Sequence, residues 1–172
     1  MRIFIASYGE RLNMAIEVGS WLEGMNVEPV LWNEPEVFPL GAYTWDALID
    51  LSENVDAAIF IFGEDDQIWL RGESTMTVRD NVLLEYGLFS VKLSKANTIF
   101  LCDGRPKLAS DLEGITWGDI RKKNSVRIKL ENWINSIRAS NQKKVKGFKI
   151  TDLNDAFQIA LKNQKTEKLR IF

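Results

Sequence analysis

The chain has 172 residues, 45% of them hydrophobic and 27% charged, with a formal net charge of −2; this is enough for one well-packed core and short for two domains. It has no histidine and one cysteine, Cys102, which excludes a Ser-His-Asp triad, a Cys-His pair, an internal disulfide and structural zinc, and leaves proton chemistry to carboxylates, lysine or tyrosine. No apolar run approaches the roughly 20 residues that span a bilayer, and the N-terminus runs into a turn instead of a secretory core, so a soluble cytoplasmic protein is expected.

Arg2 to Ala6 form a short apolar run ending in the turn Ser7-Tyr8-Gly9-Glu10, after which Leu12, Ala15, Ile16, Gly19 and Leu22 recur at helical spacing with Gly24 as a stop. Val27 to Leu31 reads as a second strand. A long loop follows through Trp32 to Gly41, with two prolines, and then a short helix through Leu51 that Thr44 or Asp46 could cap. Asp56 to Phe62 is continuously apolar after its first residue, as a central parallel strand covered on both faces should be. Gly63 to Arg79 shows no periodicity and reads as a long functional or mobile loop. Asp80 to Leu93 returns to helix with Asp80 at its N-cap, Thr98 to Cys102 to strand, and Ile115 to Trp117 to a short last strand.

Val126, Leu130, Trp133, Ile134 and Ile137 give a final amphipathic helix capped by Asn124 or Ser125. The alternation predicts an α/β domain over residues 1–140, a five-stranded parallel sheet in the flavodoxin-like order 2-1-3-4-5 with helices on both faces, whose ligands bind outside the carboxyl ends of the strands. Residues 141–172 are expected as a basic linker, Asn141 to Lys149, and a short C-terminal helix carrying Leu153, Phe157, Ala160 and Leu161. Charge is polarised along the chain: residues 1–120 carry 8 basic and 20 acidic side chains, residues 121–172 carry 14 and 4. Such asymmetry suits an anionic partner or self-association, or is a solvated helix face and tail.

The densest chemistry lies in Arg79-Asp80-Asn81-Val82-Leu83-Leu84-Glu85-Tyr86-Gly87. Asn81 and Glu85, four apart, share a helix face near the rim of the sheet, while Val82, Leu83, Tyr86 and Phe89 can face the sheet. On spacing alone, a helical Glu near an Asn is usually a solvated residue. This stretch, however, closely resembles the Arg-Asp-Asn-Val-x-x-Glu-x-Gly motif of bacterial TIR-like nucleotide-binding proteins, among them TIR effectors of CBASS and Pycsar antiphage systems and TIR domains fused to STING. Asp65-Asp66 resembles that family's paired aspartates, and Ser110-Asp111-Leu112-Glu113-Gly114 its Ser-Asp-Leu-x-Gly segment, so the resemblance runs in order over roughly residues 2–138.

The resemblance implies a hydrolase that takes NAD⁺ as substrate, needs no cofactor, and cleaves the nicotinamide–ribose bond with Glu85 as the indispensable carboxylate; cyclisation is a possible variant. It also implies a homo-oligomer or filament as the active form and a cyclic-nucleotide sensor as partner; no membrane partner is expected, and the acidic main domain, without a recognised motif, disfavours nucleic acid. Around Glu85, substrate-binding positions are expected at Ser7, Tyr8 and Gly9, whose backbone N–H groups at a helix start can receive phosphate or ribose oxygens or which serve simply as turn residues. Arg79, Asp80, Asn81 and Trp45 complete the expected set. Arg79 either meets a phosphate or holds Asp80 and the preceding loop. Trp32, Phe38, Tyr43 and Trp45 offer rings to stack on a base or to anchor the second loop. Asp65 and Asp66 suit turn capping better than a metal, and none is expected. Two other readings stay open: a nucleoside 2-deoxyribosyltransferase-like enzyme, and a non-catalytic module that binds nucleotide or self-assembles.

Overall fold

The computed structural model describes residues 1–38, 41, 43–70, 72–112 and 114–147. The chain divides into two compact units, Met1–Asn132 and Trp133–Phe172. The first contains β1 (Arg2–Ser7), α1 (Leu12–Glu23), β2 (Glu28–Leu31), α2 (Thr44–Glu53), β3 (Ala57–Gly63), β4 (Asp66–Leu70), β5 (Glu73–Thr77), α3 (Asp80–Lys92), β6 (Thr98–Asp103) and β7 (Gly118–Asp119). The last helix, α4, runs Lys123–Gly147.

β2-β1-β3-β6-β7 make one parallel sheet, with β4 and β5 apart from it as an antiparallel hairpin. Counted without the hairpin, this is the 2-1-3-4-5 order that the strand–helix alternation predicts. β3 lies at its centre and every one of its residues is buried, which is why Ala57-Ala58-Ile59-Phe60-Ile61-Phe62 carries no polar alternation. The crossover between β1 and β3 reverses the strand order beside β1, so the carboxyl ends of β1 and β3 flank the crevice where such sheets take ligands.

Aromatic rings pin α3 onto this sheet. Phe89 stacks on Phe4 at 5.0 Å and meets Phe60 edge-on at 5.7 Å. Tyr86 lies edge-on to Phe60, Phe62 and Phe100 at 5.5–5.6 Å. With Val82, Tyr86 and Phe89 buried on one face, the rotation of α3 about its axis is fixed, and Asn81 and Glu85 are left on the flank towards the carboxyl edge.

Several readings need correction. The segment 63–79 is not a structureless loop: β4 and β5 pair from Asp66↔Thr77 to Leu70↔Glu73, turning at Gly72, whose φ of +88 suits glycine. Its exposed strands show no buried face, so the period-2 signal was missing. Asp80 is the first residue of α3 rather than its cap; the cap position is Arg79, and Asp80 Oδ1 accepts the Asn81 N–H at 2.7 Å from within the first turn, where a carboxylate complements the helix dipole. Tyr43, not Thr44 or Asp46, occupies the cap position of α2, without a side-chain hydrogen bond, and Asn124 and Ser125 sit inside the first turn of α4. Finally, 141–147 continues α4 instead of forming a linker: no proline or glycine interrupts its Lys and Gln before Gly147. The last strand is Gly118–Asp119, just beyond Ile115 to Trp117. The helix expected around Leu153, Phe157, Ala160 and Leu161 lies outside the described residues.

Candidate active site

At the carboxyl edge of the sheet, a cavity of about 320 Å³ is lined by Ser7, Tyr8, Gly9, Trp32, Phe38, Arg79, Asn81, Val82 and Glu85. Each wall follows from a strand end. Ser7 closes β1 and Tyr8 and Gly9 turn into the 3-10 segment Gly9–Arg11 that leads to α1; Trp32 follows β2; Arg79 to Glu85 begin α3. The volume is at the low end of ligand pockets, sized for a nucleoside-like group with any larger remainder lying across the rim.

Glu85 is partly buried in this wall, and burial lifts its carboxyl from 4.5 to about 7. It can therefore hold or release a proton near neutral pH. Among the described residues, the rest of the cavity supplies one cation and three rings. Arg79 donates to Asp66 Oδ1 at 2.7 Å, and its guanidinium carbon lies 4.9 Å from the centre of the Tyr8 ring. Arg79 thus holds the hairpin through Asp66 rather than through Asp80, while still lining the cavity. The Trp32 indole N–H donates to Ser7 Oγ at 3.0 Å, fixing the ring that closes the β2 side.

Beneath the first turn, Arg11 donates to Asp65, and its Nε lies 3.4 Å from Asp103 Oδ2, tying the start of α1 to the ends of β3 and β6. Gly63 makes this possible, because a Cβ there would fall onto the guanidinium. The Asp65 side chain is fully buried, and burial raises its pKa against the opposing pull of Arg11. The two aspartates after β3 therefore split their work: Asp65 anchors the first turn and Asp66 anchors Arg79.

Of the residues expected from sequence, Ser7, Tyr8, Gly9, Arg79, Asn81 and Glu85 line the same cavity. Asp80 and Trp45 are not among its lining residues. Asp80 is exposed in the first turn of α3, and Trp45, 49% exposed, stands on the first turn of α2. Trp32 and Phe38 supply the aromatic wall instead. Val82, expected against the sheet, also borders the cavity, whereas the largely buried Arg11 had no local signal, since its partners lie 54 and more positions away. Cys102 is buried and its thiol is pushed up to about 12, far from nucleophilic. Among the described residues, no group of three or more acidic or cysteine side chains is arranged to hold a metal, and no helix is long and apolar enough to cross a membrane.

Residues 2–122 match the family described as CAP12/Pycsar effector protein, TIR domain. The chain belongs to this family. It is 33% identical over 137 residues to CD-NTase-associated protein 12 of Sphingobacterium faecium, an alignment covering 80% of this chain and 42% of that protein. It is 35% identical over 117 residues to the Pycsar effector protein PaPycTIR of Pseudomonas aeruginosa, covering 66% of this chain and 37% of the relative. The chain thus spans about two fifths of the length of these relatives. Among solved structures, the TIR domain of the Toll-related receptor TRR-2 of Hydra magnipapillata superposes with a TM-score of 0.57 at 17% identity, covering 79% of this chain and 97% of that one, which shows the TIR fold.

Proposed function

We propose that this TIR domain cleaves the nicotinamide–ribose bond of NAD⁺, as an effector in antiphage defence that acts when copies of it assemble. The observation that carries the reading is Glu85: a partly buried carboxyl, raised to about 7, in a nucleoside-sized cavity whose other walls offer aromatic faces and one guanidinium. Family membership supports the effector role, with control by a partner that senses a cyclic nucleotide.

A lone carboxylate is chemically sufficient. As the C1′–N bond breaks, its electron pair moves onto the pyridinium nitrogen and nicotinamide leaves neutral, so no acid has to protonate the leaving group. The ionised Glu85 stabilises the electron-poor C1′ and binds the ribose hydroxyls; water then forms the new C1′–O bond and gives up a proton to Glu85 or solvent. Tyr8, Trp32 and Phe38 provide flat faces for the rings, Asn81 a hydrogen-bonding amide, and Arg79 a cation for the phosphates. NAD⁺ is substrate here, and the chemistry calls for no cofactor or metal.

The test is product analysis of NAD⁺ and of deoxynucleosides incubated with concentrated protein. Release of nicotinamide with no base exchange and no sugar adduct on Glu85 supports the reading. A covalent 2-deoxyribosyl adduct would replace it with the transferase, and salt-sensitive self-association without turnover with the binding module.

A further inference from the structure

A buried ion pair is costly to desolvate, and well-packed apolar residues of similar volume commonly replace one without loss of stability. Arg11 and Asp65 form such a pair. The Asp65 side chain is fully buried and that of Arg11 is 11% exposed, and Asp65 Oδ2 and Arg11 Nε have no hydrogen-bond partner among the described residues. Gly63 is kept bare for it, since a Cβ there would strike the guanidinium. Three positions are thus committed to a contact that fold stability alone does not require, and its place in the fold supplies the reason.

Two walls of the cavity meet at Asp65. On one side, Arg11 ends the 3-10 turn Gly9–Arg11, and its N–H donates to the Tyr8 carbonyl at 2.9 Å. Holding the Arg11 guanidinium therefore holds the turn from which Tyr8 and Gly9 line the cavity. On the other side, the Asp65 N–H donates to the Thr77 carbonyl at 3.0 Å, just ahead of α3. Burial raises the Asp65 carboxyl, and Arg11, followed by the N–H groups of Arg79 and Gly63 that face it, pulls it back down. Arg79 is the residue that leads into α3, whose opening turns carry Asn81 and Glu85, and its own side chain is taken by the neighbouring Asp66 at 2.7 Å.

We propose that Asp65 is a positioning residue of the site: its carboxylate ties the turn of Tyr8 and Gly9 to the start of α3, and so sets the gap across which Glu85 faces the substrate's ribose. It rests on the proposed function for what that substrate is. Asp65 touches no substrate and acts through Arg11 and Arg79. Releasing the tie lets the walls part, and a displacement of about 1 Å at a reacting group costs on the order of 10²-fold in rate. It also lets water reach the Glu85 carboxyl, which burial holds near 7.

The experiment compares the full chain as wild type, as Asp65→Asn, which keeps the shape and removes the charge, and as Asp65→Leu combined with Arg11→Met, which replaces the pair by apolar side chains. Each is read below its melting transition by the titration of the Glu85 carboxyl in ¹³C NMR, and by kcat/KM for nicotinamide release from NAD⁺. The double variant should melt close to wild type, since no charge is left buried alone. In both variants the Glu85 midpoint should nevertheless fall from about 7 towards 4.5, and kcat/KM should drop on the order of 10²-fold. A pair that only stabilised the fold would leave both readings at wild-type values once stability is restored. A folded variant of either kind whose Glu85 titrates as in wild type would overturn the proposal. The titration needs no turnover, so a chain that leaves NAD⁺ intact would defeat the proposed function while the role of Asp65 is still decided by the Glu85 midpoint.

Discussion

Replacing Glu85 by glutamine should make the protein more stable at alkaline pH and leave it unchanged in acid. Burial raises the carboxyl from 4.5 to about 7, so between those pH values the folded chain holds a proton that the unfolded chain has lost. Stability therefore falls as pH rises through this window, and above it the native state carries the whole penalty of a half-buried charge. The shift corresponds to about 3 kcal/mol, and water entering the open cavity relieves part of it, leaving roughly 1–3 kcal/mol. Glutamine keeps the shape and removes the charge. Urea denaturation at pH 8.5 should show Glu85→Gln more stable than wild type by that amount, with the difference gone by about pH 4.5. An equal gain at both pH values, or no gain at pH 8.5, would refute the argument that desolvation of Glu85 governs its titration. A site residue that costs stability in its working form is what a catalytic cavity is expected to hold.

Arg11→Ala would leave Asp65 as an uncompensated buried carboxylate, and urea denaturation at pH 8 should show a loss of about 3–5 kcal/mol. Arg79→Gln breaks a half-exposed pair with Asp66 and should cost less than about 1 kcal/mol, yet raise the KM for NAD⁺ on the order of 10-fold, which steady-state kinetics would show; equal KM values would remove Arg79 from substrate binding. Cys102, buried and pushed up to about 12, should resist a thiol reagent at pH 8 until denaturant unfolds the chain; rapid labelling of the native protein would contradict its burial.

The sheet was legible because its central strand is an unbroken apolar run and its helices carry regular stripes; both signals are local. The cavity-facing side of α3 was legible for the same reason, since Val82, Tyr86 and Phe89 fix which flank Asn81 and Glu85 occupy. The hairpin was missed because its two strands are exposed, with Trp69 78% accessible, so no alternation marks a buried face. Gly72 between two β-prone runs was the usable cue. The Arg11–Asp65–Asp103 cluster joins the first turn to the ends of two strands far along the chain, and nothing in neighbouring residues announces it. Trp45 was expected near the ligand from its place beside the second loop; the ring of Trp32, held by Ser7, lines the cavity instead.

The central claim, that the Glu85 carboxylate drives cleavage of the nicotinamide–ribose bond, is tested most directly by kcat/KM for nicotinamide release from NAD⁺ between about pH 5 and 9, for wild type and Glu85→Gln at concentrations where the protein associates. The account predicts a wild-type rate that rises with pH, levels off above about 7, and falls by about 10²-fold or more in Glu85→Gln. A Glu85→Gln variant that releases nicotinamide at the wild-type rate, or an associated wild type that releases none, would contradict it.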